Sequence, residues 1–94
     1  MAFFAVHYRY GADAPAVAGA KPAHRAYLAD LLDRGLLAAS GPLTDAPEGL
    51  LIFHAESANQ VADLIAADPI NLAGLVEQAT IRPWSPNLGP FTDD

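Results

Sequence analysis

The sequence contains no cysteine. This absence excludes disulfide bonds, metal sites built from thiolates and a cysteine nucleophile. Basic residues are also few, because 5 Lys and Arg stand against 11 Asp and Glu, and the net charge is −6. Since no stripe of Lys or Arg is present to neutralise phosphates, we expect no binding to nucleic acid.

Glycine-rich phosphate loops and long apolar runs are missing as well. Neither Gly-x-Gly-x-x-Gly nor Gly-x-x-x-x-Gly-Lys occurs, so we expect no nucleotide cofactor. The first residues have no basic region, and His7 and Arg9 interrupt the opening apolar run too early for a signal peptide or a membrane span. We therefore expect a cytoplasmic protein without a membrane partner.

What the chain does have is a high apolar content. It is 94 residues long, 52% hydrophobic and 17% charged, which predicts one folded domain over 1–94. A chain of this size buries only about 60 to 65% of its unfolded surface, so its core is modest. This composition favours an oligomer in which a second subunit covers part of the apolar surface.

Hydrophobic periodicity and turn residues predict four strands and two main helices. The first strand runs from Phe3 to Tyr10, and residues 11–20 are predicted to be a loop rich in alanine and glycine. We expect the first helix to open at Lys21, with Pro22 in its first turn and Gly35 after its last turn. The next predicted elements are a strand over 36–40 ended by Gly41 and Pro42, a polar turn over 43–48 and a strand over 49–55. A second helix is predicted from a capping box of Ser57 and Gln60 to about Ala67, followed by a short turn from Asp68 and Pro69 to Gly74. A last strand over 75–84 and an irregular tail over 85–94 complete the chain.

The order β-α-β-β-α-β is that of a ferredoxin-like α+β domain with a four-stranded antiparallel sheet. The first and third strands are apolar on both faces, as the two central strands of that sheet should be. Both helices cover one face of the sheet, and the other face has no cover within the monomer. We therefore predict a homodimer in which two sheets pack face to face.

His24 is the first candidate for chemistry. It shares the apolar stripe of its helix with Leu28, and a position near a helix start would disfavour the imidazolium and keep the ring available as a base. A carboxylate partner would act in the opposite direction and fix the tautomer. The alternative is a buried histidine satisfied by a backbone carbonyl.

Asp68 is the candidate partner. An aspartate before Pro69 is explained by helix capping alone. Position 68 also follows Ile65 by three residues and Leu64 by four, so the side chain could point inward. The two roles are compatible if the two carboxylate oxygens are divided between them.

Other candidates carry weaker signals. His7, His24 and His54 lie on different elements without His-x-x-x-His spacing, so we expect no metal site. Ser40 ends a strand but lacks the Gly-x-Ser-x-Gly pattern of an activated nucleophile. The side chains that could line or rim a pocket, or simply cover the surface, are Tyr8, Arg9, Tyr27 and Arg82.

Several stretches together carry a resemblance to a known family. They are Lys21-Pro22-Ala23-His24-Arg25-Ala26-Tyr27-Leu28, Gly35-Leu36-Leu37 leading to Ser40-Gly41-Pro42, Ser57 with Ala62, Ala67-Asp68-Pro69 through Ala73-Gly74-Leu75, and Ile81-Arg82-Pro83-Trp84. In these residues the chain resembles the YCII-related (YciI-like) family from the first strand to Trp84. It departs from the usual pattern at Lys21, where arginine is common, and at Ile70, where an aromatic residue usually follows Asp-Pro and a changed pocket shape is expected.

The resemblance implies a dimeric α/β barrel with a His–Asp pair in a pocket near the dimer interface, which assigns His24 and Asp68 as the catalytic pair. The family is similar in fold to muconolactone isomerases and related cofactor-free enzymes, and one branch is a dehydrochlorinase of chlorinated hydroxyhydroquinones. We expect a lyase or isomerase without a cofactor that transfers a proton on a small molecule. The residues expected to bind substrate are Tyr8, Tyr27, Ser40, Gly41 and Pro42.

Two other functions are compatible with the same residues. One is a non-catalytic dimeric module that binds a small metabolite or regulates through it. The other is an interaction domain without a pocket, which would have Asp68 facing solvent.

Overall fold

A computed structural model describes residues 1–92. The elements along the chain are β1 (Ala2–Tyr10), α1 (Ala14–Asp33), β2 (Leu37–Leu43), β3 (Glu48–Ala55), α2 (Ala58–Ala66), α3 (Pro69–Leu72) and β4 (Val76–Trp84). Within the described residues no helix is both long and apolar enough to cross a membrane.

The four strands form one antiparallel sheet in the order β2-β3-β1-β4. The central strands are β1 and β3, as their two apolar faces predict, and the topology is that of the predicted ferredoxin-like fold. The two edge strands each carry a proline, Pro42 in β2 and Pro83 in β4. An edge strand tolerates proline because one row of its backbone groups has no partner in the sheet. For this reason β2 continues through Gly41 and Pro42 to Leu43, beyond its predicted end at Ser40.

The core lies between the helices and one face of the sheet. Phe4, Val6, Tyr8 and Tyr10 alternate along β1 on this face, and none is more than 7% exposed. The core-facing residues of the helices that belong to the same buried cluster are Val17, Leu28, Leu31, Val61, Ile65 and Ile70. The side chains at every second position of β1 therefore pack against the side chains on the buried faces of the helices, and together they form one apolar layer.

The start of α1 differs from the sequence prediction. The helix begins at Ala14, so the prediction of a loop over 11–20 is wrong. Asp13 is the N-cap, and its side chain accepts a hydrogen bond from the Ala16 amide. The alanine-rich segment that follows has high helix propensity, and this propensity outweighs the glycine and proline residues that favoured a loop.

Pro22 consequently lies inside α1 and not in its first turn. An interior proline removes one helical hydrogen bond and costs about 3 kcal/mol. Its ring faces solvent, and the buried side chains of Val17 before it and Leu28 after it hold both halves of the helix on the core. His24 thus lies in the middle of α1, where the helix macrodipole has little effect. The predicted effect of a helix start on the imidazole is therefore wrong.

The predicted end of α1 and the predicted starts of α2 and α3 are confirmed. Gly35 follows the C-cap of α1 with a φ of +76°, Ser57 caps α2 by accepting a hydrogen bond from Gln60, and Asp68 caps α3. The segment 85–92 is irregular, as expected, and the Phe91 ring lies 6.3 Å from the Phe3 ring. Residues 93 and 94 of the predicted tail lie outside the described residues.

Two alanine substitutions test the start and the end of α1. Gly19→Ala should raise the free energy of unfolding by about 0.5 to 1 kcal/mol, because alanine is the better helix former and a Cβ at Gly19 meets no atom within 4 Å. Gly35→Ala should lower it by about 1 kcal/mol, because an alanine is strained at positive φ. Urea denaturation of both variants gives the two values, and a Gly19→Ala variant without a gain would contradict the helix over 14–20.

Candidate functional site

The centre of the candidate site is a contact between His24 on α1 and Asp68 at the start of α3. The His24 Nδ1 atom lies 2.9 Å from Asp68 Oδ1 and 2.8 Å from Oδ2. Both side chains are buried, at 7% exposed for His24 and 1% for Asp68. The two residues therefore meet as expected from the sequence.

Asp68 accepts further hydrogen bonds that hold it in place. The Tyr8 hydroxyl donates to Oδ2 at 3.0 Å, and the Ile70 backbone N–H donates to Oδ1 at 3.2 Å. The capping role and the histidine contact are thus combined in one carboxylate. With donors from β1, α1 and α3, both oxygens of this buried group are satisfied.

Tyr8 is a fixed donor in this arrangement. Burial raises the pKa of its hydroxyl far above the usual range, and the negative charge of Asp68 raises it further. The hydroxyl therefore keeps its proton and its hydrogen bond throughout the neutral pH range.

The remaining nitrogen of His24, Nε2, is accessible to a ligand. An ionised carboxylate only accepts hydrogen bonds, so Nδ1 donates to Asp68 and the neutral ring carries a lone pair on Nε2. Within residues 1–92, Nε2 has no hydrogen-bond partner, and no fully buried side-chain nitrogen or oxygen lacks one. Nε2 is therefore not fully buried, and it is the atom through which His24 can act on a ligand.

His24 lines a cleft of about 190 Å³ between α1 and the end of the sheet formed by β2 and β3. The other residues that line it are Tyr10, Lys21, Arg25, Leu28, Ser40, Gly41, Pro42, Gly49, Leu50 and Leu51. The cleft thus has the imidazole on one wall and the predicted substrate-binding stretch 40–42 on another. This arrangement permits proton transfer between Nε2 and a small molecule in the cleft.

Two predicted substrate-binding residues do not line the cleft. Tyr8 is fully buried behind Asp68, and Tyr27 donates its hydroxyl to the Leu64 carbonyl at 2.7 Å. Ile70, expected to change the pocket shape, is also a core residue away from the lining. These side chains support the core and the pair, and the cleft itself is formed by other residues.

The sequence analysis missed Tyr10, Lys21 and Arg25 as lining residues. Tyr10 shares the inner face of β1 with Tyr8, two positions earlier. Lys21 precedes His24 by three residues and Arg25 by four, which places all three close together on a helix. This spacing is present in the predicted helix as well, so the sequence contained the signal.

Lys21 and Tyr10 contact each other at the edge of the cleft. The Lys21 Nζ atom donates to the Tyr10 hydroxyl at 3.2 Å and lies 4.3 Å from the centre of its ring. Burial and the nearby Arg25 charge lower the pKa of Lys21, against an opposing effect of Asp68. Burial and the Asp68 charge raise the pKa of Tyr10.

The remaining charged candidates lie outside the cleft lining. Arg9 pairs with Glu77 at 3.1 Å, and Arg82 is exposed on β4. His7 contacts Glu48 at 2.7 Å, and the His54 ring stacks on Phe3 at 4.4 Å. Among the residues from 1 to 92, no group of three or more His, Asp or Glu side chains is arranged to hold a metal ion.

Three solved structures show the same fold. 5-Chloro-2-hydroxyhydroquinone dehydrochlorinase (TftG) from Burkholderia phenoliruptrix AC1100, solved in complex with 2,5-dihydroxybenzoquinone, matches with a TM-score of 0.69 and 22% identity over 88% of this chain and 93% of that chain. An uncharacterized NIPSNAP domain protein from Burkholderia xenovorans matches with a TM-score of 0.61 and 14% identity over 100% of both chains. Protein Atu4242 from Agrobacterium tumefaciens matches with a TM-score of 0.52 and 20% identity over 93% of this chain and 94% of that chain.

Sequence comparison identifies the family. No curated protein matches the chain. The model of the YCII-related domain matches residues 1–85, which include every strand and helix described in residues 1–92 and both members of the His24–Asp68 pair. The chain therefore belongs to the YCII-related domain family.

Proposed function

We propose that the protein is a cofactor-independent enzyme of the lyase or isomerase type, which transfers a proton on a small cyclic or aromatic compound. His24 is the general acid and base, and Asp68 orients it. The observation that supports this proposal most directly is the buried His24–Asp68 contact beside a cleft that His24 lines.

The pair has the parts that such a reaction needs. The Nε2 lone pair takes a proton from the substrate, and the Asp68 carboxylate stabilises the imidazolium that forms. In an isomerisation the same proton returns to another atom. In an elimination the electron pair left behind forms a double bond, a leaving group such as chloride departs, and no oxidant or reductant is consumed.

The size of the cleft favours a single-ring substrate. A cavity of about 150 Å³ is large enough for benzene, and this cleft measures about 190 Å³. The structurally similar dehydrochlorinase acts on a chlorinated hydroxyhydroquinone and was solved with a dihydroxybenzoquinone. Hydroxylated six-membered rings are therefore the substrate class proposed here, with Ser40, Gly41 and Pro42 contacting the ring from the opposite wall.

Replacing the histidine tests the catalytic proposal. With a panel of chlorinated hydroxyhydroquinones and related cyclic enols, we expect His24→Gln to lower the rate roughly 10²- to 10⁴-fold, because the general base is removed. The rate is measured as chloride release and as deuterium incorporation from solvent, followed by NMR. His54→Gln is the matched control, since His54 stacks on Phe3 outside the cleft, and it should keep the wild-type rate.

The competing function is a non-catalytic module that binds a metabolite in the same cleft. It is favoured by the near-complete burial of Asp68 and by its structural bonds to Tyr8 and Ile70. It predicts saturable binding without product, and His24 variants that lose affinity only. A His24→Gln variant with an undiminished rate would contradict the catalytic role.

The tyrosines report whether Asp68 is charged, as the proposal requires. The Asp68 charge contributes to the raised pKa of all three tyrosines, Tyr8, Tyr10 and Tyr27. In the folded Asp68→Asn variant, tyrosinate absorbance should therefore appear at lower pH than in the wild type. An unchanged titration would show a neutral carboxyl group in the pair.

The raised pKa values of the tyrosines also predict how the free energy of unfolding changes at high pH. An unfolded tyrosine has a pKa of about 10, and the folded values are higher. The stabilising contribution is therefore complete below about pH 10 and is lost as the pH rises towards the folded values. Denaturation of the wild type across this range should show that fall, with circular dichroism confirming that the protein is folded at its start.

We also propose a homodimer formed through the face of the sheet opposite the helices. Two large apolar side chains of this face, Leu50 and Trp84, are 41% and 39% exposed in the single chain. Light scattering should give a mass near twice 9.9 kDa, and Trp84→Glu should shift the protein towards the monomer because a charge is buried at the interface. A monomeric wild type would contradict this assembly.

A further inference from the structure

The cleft beside His24 has an unusual charge for this protein. The chain carries 11 acidic and 5 basic residues, yet two of the basic residues, Lys21 and Arg25, line the cleft and no Asp or Glu does. Asp68 lies behind His24 and is outside the lining. The cleft is thus a positively charged site in an acidic protein.

The two cations of the cleft also lack a carboxylate partner. On the same helix, Arg34 pairs with Asp30 at 3.4 Å, and on β1, Arg9 pairs with Glu77. Among the described residues, Lys21 has only the Tyr10 hydroxyl as a hydrogen-bond partner, and the Arg25 side chain forms no hydrogen bond or ion pair. Charged groups without such a partner are available to a ligand.

Lys21 and Arg25 repel each other. They lie four residues apart on α1, a spacing at which like charges destabilise a helix. The repulsion appears in the pKa of Lys21, which the Arg25 charge helps to lower. An anion placed between the two groups would remove this repulsion, so the site favours a negatively charged ligand.

The Lys21 ammonium is also held in position. It donates to the Tyr10 hydroxyl and lies against the face of the same ring. Tyr10 in turn fits where Gly49 has no side chain, because a Cβ at Gly49 would lie 3.1 Å from the Tyr10 hydroxyl oxygen. A cation fixed before the ligand arrives loses less entropy on binding.

We propose that the cleft binds a small cyclic anion whose negative charge is on oxygen, with the charged oxygen between Lys21 and Arg25 and the ring beside His24. The anion is a carboxylate or an ionised enol. This inference rests on the proposed function for the location of the substrate, and it adds the charge of the substrate and the two residues that select it. Neutral rings of the same size bind less well, because they leave the two cations without a partner.

The experiment compares charged and neutral probes that share the same ring by calorimetric titration. One pair is 2,5-dihydroxybenzoate and 2,5-dihydroxybenzamide, and the other is 2,5-dihydroxybenzoquinone and its dimethyl ether. The wild type should bind the anion of at least one pair about tenfold or more tightly than its neutral partner. The pair that shows the preference identifies the charged group as a carboxylate or an enolate.

Substitutions locate the preference in the structure. Lys21→Met and Arg25→Gln should each reduce the preference for the anion by about tenfold. Arg34→Gln removes the same charge from the same helix outside the cleft and should leave the preference unchanged. Equal binding of both members in both pairs, no binding of any probe at millimolar concentration, or a preference that survives both cleft substitutions would overturn the proposal.

His24→Gln separates this inference from the proposed function. The variant should keep the preference for the anion, because Lys21 and Arg25 are intact, while its rate falls. A variant that keeps both the preference and the rate would contradict the catalytic role and support the anion site. A wild type that shows no preference for the anion, but whose rate still depends on His24, would contradict the anion site and support the catalytic role.

Discussion

The structure depends on a buried carboxylate whose hydrogen-bonding capacity must be met from within the protein. Asp68 is 1% exposed and is bonded by His24, Tyr8 and the Ile70 backbone. Removing one hydrogen-bond donor from such a buried group typically costs about 1 to 3 kcal/mol, because one oxygen of the carboxylate then lacks a partner. Since the three donors come from α1, β1 and α3, this requirement fixes how a helix, a strand and a short helical turn meet.

The same requirement prepares the chemistry proposed for the cleft. By accepting from Nδ1, the carboxylate holds the ring in one orientation and leaves Nε2 as the basic atom of the neutral imidazole. Tyr8 also holds Asp68 in place through its hydrogen bond, since its raised pKa preserves its proton. In the proposed mechanism, a group that stabilises the fold therefore also positions the base.

The charge of the cleft adds selectivity to this arrangement. In a chain of net charge −6, most exposed surface repels anions. Lys21 and Arg25 line the same wall of the cleft as His24, because all three lie between positions 21 and 25 of α1. In the proposed function, the helix thus supplies both the base and the anion-binding groups, and the sheet supplies the opposite wall.

The sequence by itself determined the order of the elements, the antiparallel sheet with β1 and β3 at its centre, the caps at Gly35, Ser57 and Asp68, and His24 and Asp68 as candidates. These follow from local periodicity, capping chemistry and family pattern, which neighbouring residues carry. Only the tertiary structure decided that α1 starts at Ala14, that Tyr8 supports Asp68, and that Lys21 and Arg25 face the cleft. The reason is that these features depend on long-range packing, which no local signal in the sequence records. Packing on the core allows α1 to continue through Pro22, and the contact between Tyr8 and Asp68 joins residues that lie far apart in the chain.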